Sequence, residues 1–299
     1  MSSEGHGKPK GSASHRVYQQ NPDARRAPGK VSVMPYSRSF SSLNPGCVIL
    51  LVDQSESMAK PFGADRTKVK AETCAGAVNT LLYDLVIACR AGSVIKNRVY
   101  VGVLGYGATV GSALPGKLQN EAIVPIAEIA HNPLTVTAGG DGTGTPTWVS
   151  ATAKNGTPMA KGMRLAANWL RAWTQTHADS FPPVVINITD GQPDRSEDVR
   201  SAAASLRSLT TNDGAVLLLN AHIADTDAPK AVFPVTLNGL SDPFASLLYE
   251  ISSTIPESLL VNAGEAELPA QPGSRGFIYN SDPDAIVRIL EFGTSQINQ

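Results

Sequence analysis

The sequence has little of what marks secreted, membrane-spanning or nucleic-acid-binding proteins. It holds three cysteines, an odd number without metal-ligand spacing, so it indicates neither a disulfide framework nor a metal cluster. No apolar run reaches the roughly 18 residues of a membrane span, and the first residues lack the apolar segment of a signal peptide. The formal net charge of −1 gives no electrostatic reason to expect a nucleic acid or an anionic membrane as partner. We therefore expect a cytoplasmic protein whose thiols, Cys47, Cys74 and Cys89, are reduced and mostly buried.

The signatures of several enzyme classes are also missing. The phosphate-binding pattern G-x-x-x-x-G-K-[ST] and the hydrolase pattern G-x-S-x-G do not occur. A phosphatase of the haloacid-dehalogenase type needs a second Asp two positions after its nucleophile, but Ser55 stands there after Asp53. None of the five histidines falls in a motif, and His222, at the end of an apolar run, is read as a core histidine. No general base is visible, so we expect no enzymatic activity.

Composition indicates one large domain with tails. Hydrophobic residues make up 42% of the 299 residues and charged residues 17%, which is typical of a globular protein with a large core. Residues 1–42 are rich in Ser, Gly, Pro and basic residues, which predicts a flexible N-terminal tail; a partner-docking arm is the alternative. The predicted domain covers residues 43–292, and residues 293–299 form a C-terminal tail.

The order of apolar runs and helical patterns predicts the fold class. Three mainly apolar runs, Cys47–Val52, Val184–Ile188 and Ala215–Ile223, are typical of strands buried on both faces. Helical spacing alternates with these runs in Thr67–Arg90, Pro158–Thr176, Glu197–Leu209, Pro243–Ser252 and Pro283–Phe292. Such alternation predicts an α/β, doubly wound fold with a mostly parallel central sheet flanked by helices on both faces.

Residues 107–155 depart from this alternation and are interpreted as a hairpin or loop insertion. Ile123–Ile129 and Leu134–Thr137 are expected to be strands. The glycine-rich stretch Ala138–Thr147 is expected to be an irregular, mobile loop.

The most informative stretch is V-I-L-L-V-D-Q-S-E-S-M, residues 48–58, in which a buried strand runs into three oxygen-bearing side chains. These are Asp53, Ser55 and Ser57, at alternate positions. Hard divalent cations such as Mg²⁺ prefer oxygen ligands. Ligands in parallel sheets bind beyond the carboxyl ends of the strands, which is where this loop is expected. The loop is therefore interpreted as half of a metal site.

Two further segments supply candidate ligands. Thr157 lies in N-G-T-P-M-A-K-G-M, immediately before a helix, where it could equally be a helix N-cap. Asp190 lies in I-T-D-G-Q-P-D, directly after an apolar run, where it could equally form an Asp-Gly turn. If the sheet is parallel, both positions lie at the same edge as Asp53.

These three motifs, in this order, resemble the metal-ion-dependent adhesion site of the von Willebrand factor A (vWA) domain family over roughly residues 43–292. The resemblance implies a metal-binding set of Asp53, Ser55, Ser57, Thr157 and Asp190. It also implies a bound Mg²⁺, with Mn²⁺ or Ca²⁺ as alternatives, and a partner protein that supplies a Glu or Asp to the ion. In this motif Glu56 stands where relatives frequently carry Gly; it is either solvent-facing or placed to gate the ion.

Shorter matches, D-Q-S-E-S-M, T-D-G-Q-P-D and the closing L-E-F-G-T, resemble bacterial stand-alone cytoplasmic vWA proteins of the TerY-like group. That resemblance implies an adaptor in a stress-response or conflict system. Its expected partner is a PP2C-type phosphatase, a protein kinase or an AAA+ ATPase encoded nearby. The alternatives are a metal-dependent phosphoester hydrolase that uses the same site, and a self-assembling structural vWA protein.

Overall fold

A computed structural model of the chain describes residues 35–62, 67–138, 144–191, 193, 195–223, 230–237, 242–280 and 283–298. The strands of its main sheet are β1 Gly46–Asp53, β2 Val99–Tyr106, β3 Val110–Ser112, β4 Val124–Pro125, β5 Val184–Thr189, β6 Leu217–His222, β7 Ala231–Val232 and β8 Phe277–Tyr279. The α-helices are α1 Lys70–Ala88, α2 Ile126–His131, α3 Met159–Thr176, α4 Ser196–Arg207, α5 Pro243–Ile251, α6 Leu260–Glu265 and α7 Pro283–Thr294. Single 3₁₀ turns cover Glu56–Ala59, Gly116–Leu118, Glu257–Leu259 and Ser295–Asn298.

The central sheet is mostly parallel. Its strand order is β7-β8-β6-β5-β1-β2-β3, with β4 paired to β2. The five strands β2, β1, β5, β6 and β8 run parallel to one another. The strands β3, β4 and β7 are antiparallel additions at the edges. Two-residue strands form small separate hairpins at Pro61–Phe62 with Lys68–Val69, Arg90–Ala91 with Val94–Ile95, and Thr210–Thr211 with Gly214–Ala215.

Both faces of the sheet are covered by helices. All eight residues of β1 are buried, because the strand lies between β2 and β5 and carries apolar side chains on both faces. The even-numbered residues of β1 pack into one apolar cluster with α1, α2, α6 and α7. Its odd-numbered residues pack into a second cluster with α3, α4 and α5. The predicted α/β class and doubly wound arrangement are therefore confirmed.

Part of the segment 107–155 is more regular than the sequence indicated. Ile123–Ile129 was expected to be a strand, but only Val124–Pro125 is extended, and α2 begins at Ile126. Ile126 and Ile129 are both fully buried, because a three-residue spacing puts them on one helical face. The expected strand was therefore wrong over most of its length.

The glycine-rich stretch also contains a strand. Gly144–Thr147 pairs antiparallel with Thr135–Ala138, so the prediction that all of Ala138–Thr147 is irregular was wrong. The hydroxyls of Thr135 and Thr147 lie 2.6 Å apart across this hairpin, which adds a cross-strand hydrogen bond to the ladder. Residues 139–143, the centre of the expected mobile loop, lie outside the described residues.

Residues beyond both expected domain limits pack against the core. Phe40, inside the expected N-terminal tail, is 4% exposed and stacks edge-on against Phe181. Its N–H donates to the carbonyl of Gln296, 2.9 Å away, inside the expected C-terminal tail. Ile297 is also buried. The domain therefore extends beyond 43–292 on both sides, since each flank carries an apolar side chain that the core can bury. Residues 1–34 of the expected tail lie outside the described residues.

Two further expectations concern the thiols and the membrane. Cys47, Cys74 and Cys89 are free and buried. In the part of the chain that the structure describes, no helix has the length and apolar character needed to cross a bilayer.

We predict that His222 makes the fold sensitive to mild acid. Burial lowers the pKa of His222 from 6.5 to about 4. The charges of Asp242 and Asp190 oppose this shift, and the charge of Lys70 adds to it. Because the unfolded chain then takes up the proton first, stability is lost as the pH falls from 6.5 towards 4. The contribution between pH 7 and pH 5 is about 2 kcal/mol.

Urea unfolding of the wild type and His222→Gln at these two pH values checks this. The variant should lose less stability on acidification than the wild type. His131→Gln, which removes an exposed histidine, is the matched control. An equal loss in His222→Gln and the wild type would contradict the prediction.

Candidate metal centre

Polar side chains from neighbouring strands form a row at the carboxyl edge of the sheet. The strand register sets Asp53 at the end of β1 opposite Tyr106 of β2, and Thr189 at the end of β5 opposite His222 of β6. Paired positions on adjacent strands face the same side of a sheet. The row therefore lies on the face covered by α3, α4 and α5.

Asp53 is held by donors on both oxygens. It is 1% exposed; its Oδ1 accepts from the N–H of Ser55 at 2.8 Å, and its Oδ2 accepts from the Thr189 hydroxyl at 2.5 Å. Burial raises the pKa of Asp53 to about 6; the hydrogen bonds from Thr189 and Ser55 oppose this rise, and the charge of Asp190 adds to it. A cation beside Asp53 would favour its charged form.

Ser57 links the first motif to the last. Its hydroxyl donates to Asp190 Oδ1 at 2.6 Å and lies 3.0 Å from the hydroxyl of Ser55. The turn Glu56–Ala59 brings these side chains together, and the fully buried Met58 anchors the turn in the core. Ser55, Ser57 and Asp190 are thus one hydrogen-bonded cluster, although 133 positions separate Ser57 from Asp190.

Gly191 shows that Thr157 belongs to the same cluster. A β-carbon built on Gly191 would lie 3.0 Å from Thr157 Oγ1, 3.3 Å from Asp53 Oδ2 and 3.5 Å from Ser57 Oγ. Thr157 is 6% exposed, and the N-cap position of α3 is held by Pro158 rather than by Thr157. The structure therefore brings all five sequence-predicted residues together at one edge of the sheet.

Lys70 is a member of this cluster that sequence reasoning missed. Its Nζ donates to Asp190 Oδ2 at 2.8 Å, and the two side chains are 4% and 1% exposed. A signal for it was present in the sequence. Lys70 stands in the buried stripe of α1, one turn before Cys74 and two before Ala77, where an apolar residue is expected.

The end of the segment 107–155 flanks the first motif. The N–H of Lys154 donates to the carbonyl of Gln54 at 2.6 Å, and the N–H of Glu56 donates to the carbonyl of Asn155 at 2.8 Å. Asn155 has a φ of 66°, in the left-handed region that Asn tolerates better than most residues. The side chain of Glu56 is exposed, and whether it gates an ion stays a prediction.

The donor set fits a hard divalent cation. Two carboxylates and three hydroxyls supply oxygen only, the ligand type that Mg²⁺ and Mn²⁺ prefer. Within the described ranges, no three His, Cys, Asp or Glu side chains converge as a possible metal group. Binding of an ion by this cluster would therefore depend on Ser55, Ser57 and Thr157.

Comparisons with known proteins find only distant similarity. No protein-family model matches the chain, and no curated protein matches it. Among solved structures, the vWF domain of the type V pili tip protein Mfa5 from Porphyromonas gingivalis is 15% identical, with a TM-score of 0.30. That match covers 50% of this chain and 38% of the other.

Two further structures match more of the chain. Manganese-loaded TRAP protein of Plasmodium vivax is 15% identical over 84% of this chain and 74% of its own, with a TM-score of 0.40. The PilB minor pilin of Streptococcus sanguinis is 10% identical over 85% of this chain and 62% of its own, with a TM-score of 0.44. All these values are too low to place the chain in a family.

We predict that, if this cluster binds Mg²⁺, Gly191→Ala lowers the affinity. The new methyl group would contact Thr157, Asp53 and Ser57 at 3.0–3.5 Å and crowd the oxygens on which ion binding would depend. Isothermal titration with MgCl₂ measures the effect, which we expect to be about tenfold or more, or roughly 1.4 kcal/mol.

Gly76→Ala, on an exposed position of α1 with no atom near the added carbon, is the matched control and should bind like the wild type. Unchanged affinity in Gly191→Ala would mean that the ion does not use these oxygens.

Proposed function

We propose that this chain is a vWA-type interaction module that binds an acidic residue of a partner protein through a divalent cation. Asp53, Ser55, Ser57, Thr157 and Asp190 would hold the ion, with Mg²⁺ as first candidate and Mn²⁺ or Ca²⁺ as alternatives. The observation that carries the proposal is the convergence of these five side chains at the carboxyl edge of the sheet. When bound, such an ion supplies a positive charge that a partner carboxylate can bind.

The charge of the cluster supports a binding role. The site has only two carboxylates, and Lys70 compensates one of them, so the cluster carries a net charge of −1 with both carboxyls ionised. A divalent ion would leave an excess of positive charge at the edge of the sheet. That excess favours an acidic residue of another protein as an additional ligand.

We also propose that the module is not an enzyme. Both oxygens of Asp53 and both oxygens of Asp190 accept from hydroxyl, amide or ammonium donors. Both side chains are also 1% exposed, so neither carboxylate is open to take a proton from a substrate. This supports a connector over a phosphoester hydrolase.

The cellular setting that we propose rests on the sequence motifs alone. D-Q-S-E-S-M and T-D-G-Q-P-D favour a cytoplasmic adaptor of the TerY-like kind in a bacterial stress-response or conflict system. Its partner would be a phosphatase of the PP2C type, a protein kinase or an AAA+ ATPase encoded nearby. Identification of the neighbouring genes tests this setting directly.

We predict that partner capture depends on the ion and on Thr157. Affinity-tagged protein should retain a partner from an extract of its own cells in Mg²⁺ or Mn²⁺ and release it in EDTA. Thr157→Ala and Asp53→Ala should abolish retention, because each removes one of the oxygen ligands. Thr80→Ala, on the exposed side of α1, is the control for Thr157→Ala and should retain the partner.

Circular dichroism and thermal unfolding must show that these variants fold. Equal retention of the partner in EDTA and in Mg²⁺ would contradict binding through a divalent cation. Steady hydrolysis of p-nitrophenyl phosphate by the wild type, lost in Asp53→Ala, would instead support the hydrolase. Metal-dependent light scattering by the purified chain would support self-assembly.

We predict that Glu56→Gly strengthens partner retention if Glu56 gates the ion. Its exposed carboxylate stands in the turn that carries Ser57 and would repel an incoming acidic residue. Dissociation rates of the partner from immobilised wild type and Glu56→Gly measure the effect, and Glu72→Gln, an exposed acidic residue of α1, is the control. Identical rates for Glu56→Gly and the wild type would remove this role.

A further inference from the structure

Lys70 is placed where a lysine is costly. Its side chain is 4% exposed, and burying an ammonium group is unfavourable unless it is paired. It is also the first residue of α1, and a positive charge at a helix N-terminus opposes the helix dipole. Neither the burial nor the helix position explains this residue, so its explanation must lie in its partner.

That partner is a candidate ion ligand. Lys70 Nζ lies 2.8 Å from Asp190 Oδ2, while Ser57 donates to the other oxygen of Asp190. Three other ion pairs, Arg38–Asp179, Arg195–Asp198 and Arg200–Glu250, have side chains at least 33% exposed. Lys70–Asp190 differs from these three pairs in being buried, and it lies inside the candidate metal centre.

The ammonium supplies part of what a metal ion would supply. It neutralises one carboxylate, donates to an oxygen that an ion would use, and is covalently tethered at the site. A divalent ion near Asp190 would meet a positive charge at short range in a poorly hydrated environment, where repulsion is little screened. Lys70 and the ion therefore oppose each other, whether the ammonium leaves Asp190 or stays.

We propose that Lys70 is a tethered cation that competes with the divalent ion for Asp190 and thereby limits how tightly the site holds it. This inference rests on the ion site proposed above. Without the ion, Lys70 keeps Asp190 paired and the cluster ordered. The ion therefore meets a site in which Asp190 already has a cation, rather than a bare acidic site.

The test is a calorimetric titration of metal-free protein with MgCl₂ and, separately, with MnCl₂. Lys70→Met removes the charge and keeps an unbranched side chain, and we expect it to bind either ion at least tenfold more tightly than the wild type. Lys68→Met removes the same charge from an exposed position two residues away and should bind like the wild type.

Thermal unfolding supplies a second readout. In EDTA, Lys70→Met leaves Asp190 without its cation, so its melting temperature should fall below that of the wild type. Saturating Mg²⁺ should raise its melting temperature by more than it raises that of the wild type. Equal or weaker ion binding by Lys70→Met, while the wild type binds, would overturn the competition and leave the ion site standing. No ion binding by wild type or variant would overturn both.

A measurement on the wild type covers the case in which Lys70→Met does not fold. Protein labelled with ¹³C at the lysine Cε is titrated with MgCl₂ and followed by NMR. One lysine signal, identified by its loss in Lys70→Arg, should shift with the same half-saturation as ion binding. If the ion binds and the Lys70 signal does not move, the proposal is wrong.

Discussion

The structure depends on the parallel pairing of β1 between β2 and β5. This pairing buries all eight residues of β1 and sets the register in which Asp53 stands opposite Tyr106. Because side chains alternate across a strand, one register decides which residues enter each apolar cluster and which polar groups meet at the carboxyl edge. A slip of one residue would send Asp53 to the face that α1 covers.

This arrangement buries a set of polar groups, and each of them needs a hydrogen-bond partner. Thr189, Ser55 and Ser57 donate to the two carboxylates, and Lys70 supplies the one opposite charge within this cluster. Hydroxyls and an ammonium can satisfy carboxylates without a metal ion. The same oxygens are suitable ligands for a metal ion, so structural order and ion binding would draw on the same atoms.

The flanks of the candidate metal loop, Asp53–Ser57, are held by hydrogen bonds of backbone and of side chains. The backbone of Lys154 is hydrogen-bonded to that of Gln54, and the backbone of Asn155 to that of Glu56. The side chain of Asn79 in α1 is hydrogen-bonded to the backbone of Val149, which also belongs to the segment 107–155. The segment 107–155 is therefore fastened to both α1 and the loop. A contact at this edge of the sheet would meet the loop and the end of the segment together.

The sequence by itself determined the fold class and the five candidate oxygen ligands, because these depend on local patterns. Continuous apolar runs, helical spacing and short polar motifs can be read within ten or twenty residues, as in Cys47–Val52 and Asp53–Ser57. The helix α2 and the strand Gly144–Thr147 were missed, because short elements take their form from burial and pairing that the sequence does not display. Only the tertiary structure decided that Lys70 meets Asp190, 120 positions away. The sequence around Lys70 does not show which distant carboxylate shares its buried site, because strand order and helix packing determine that pairing.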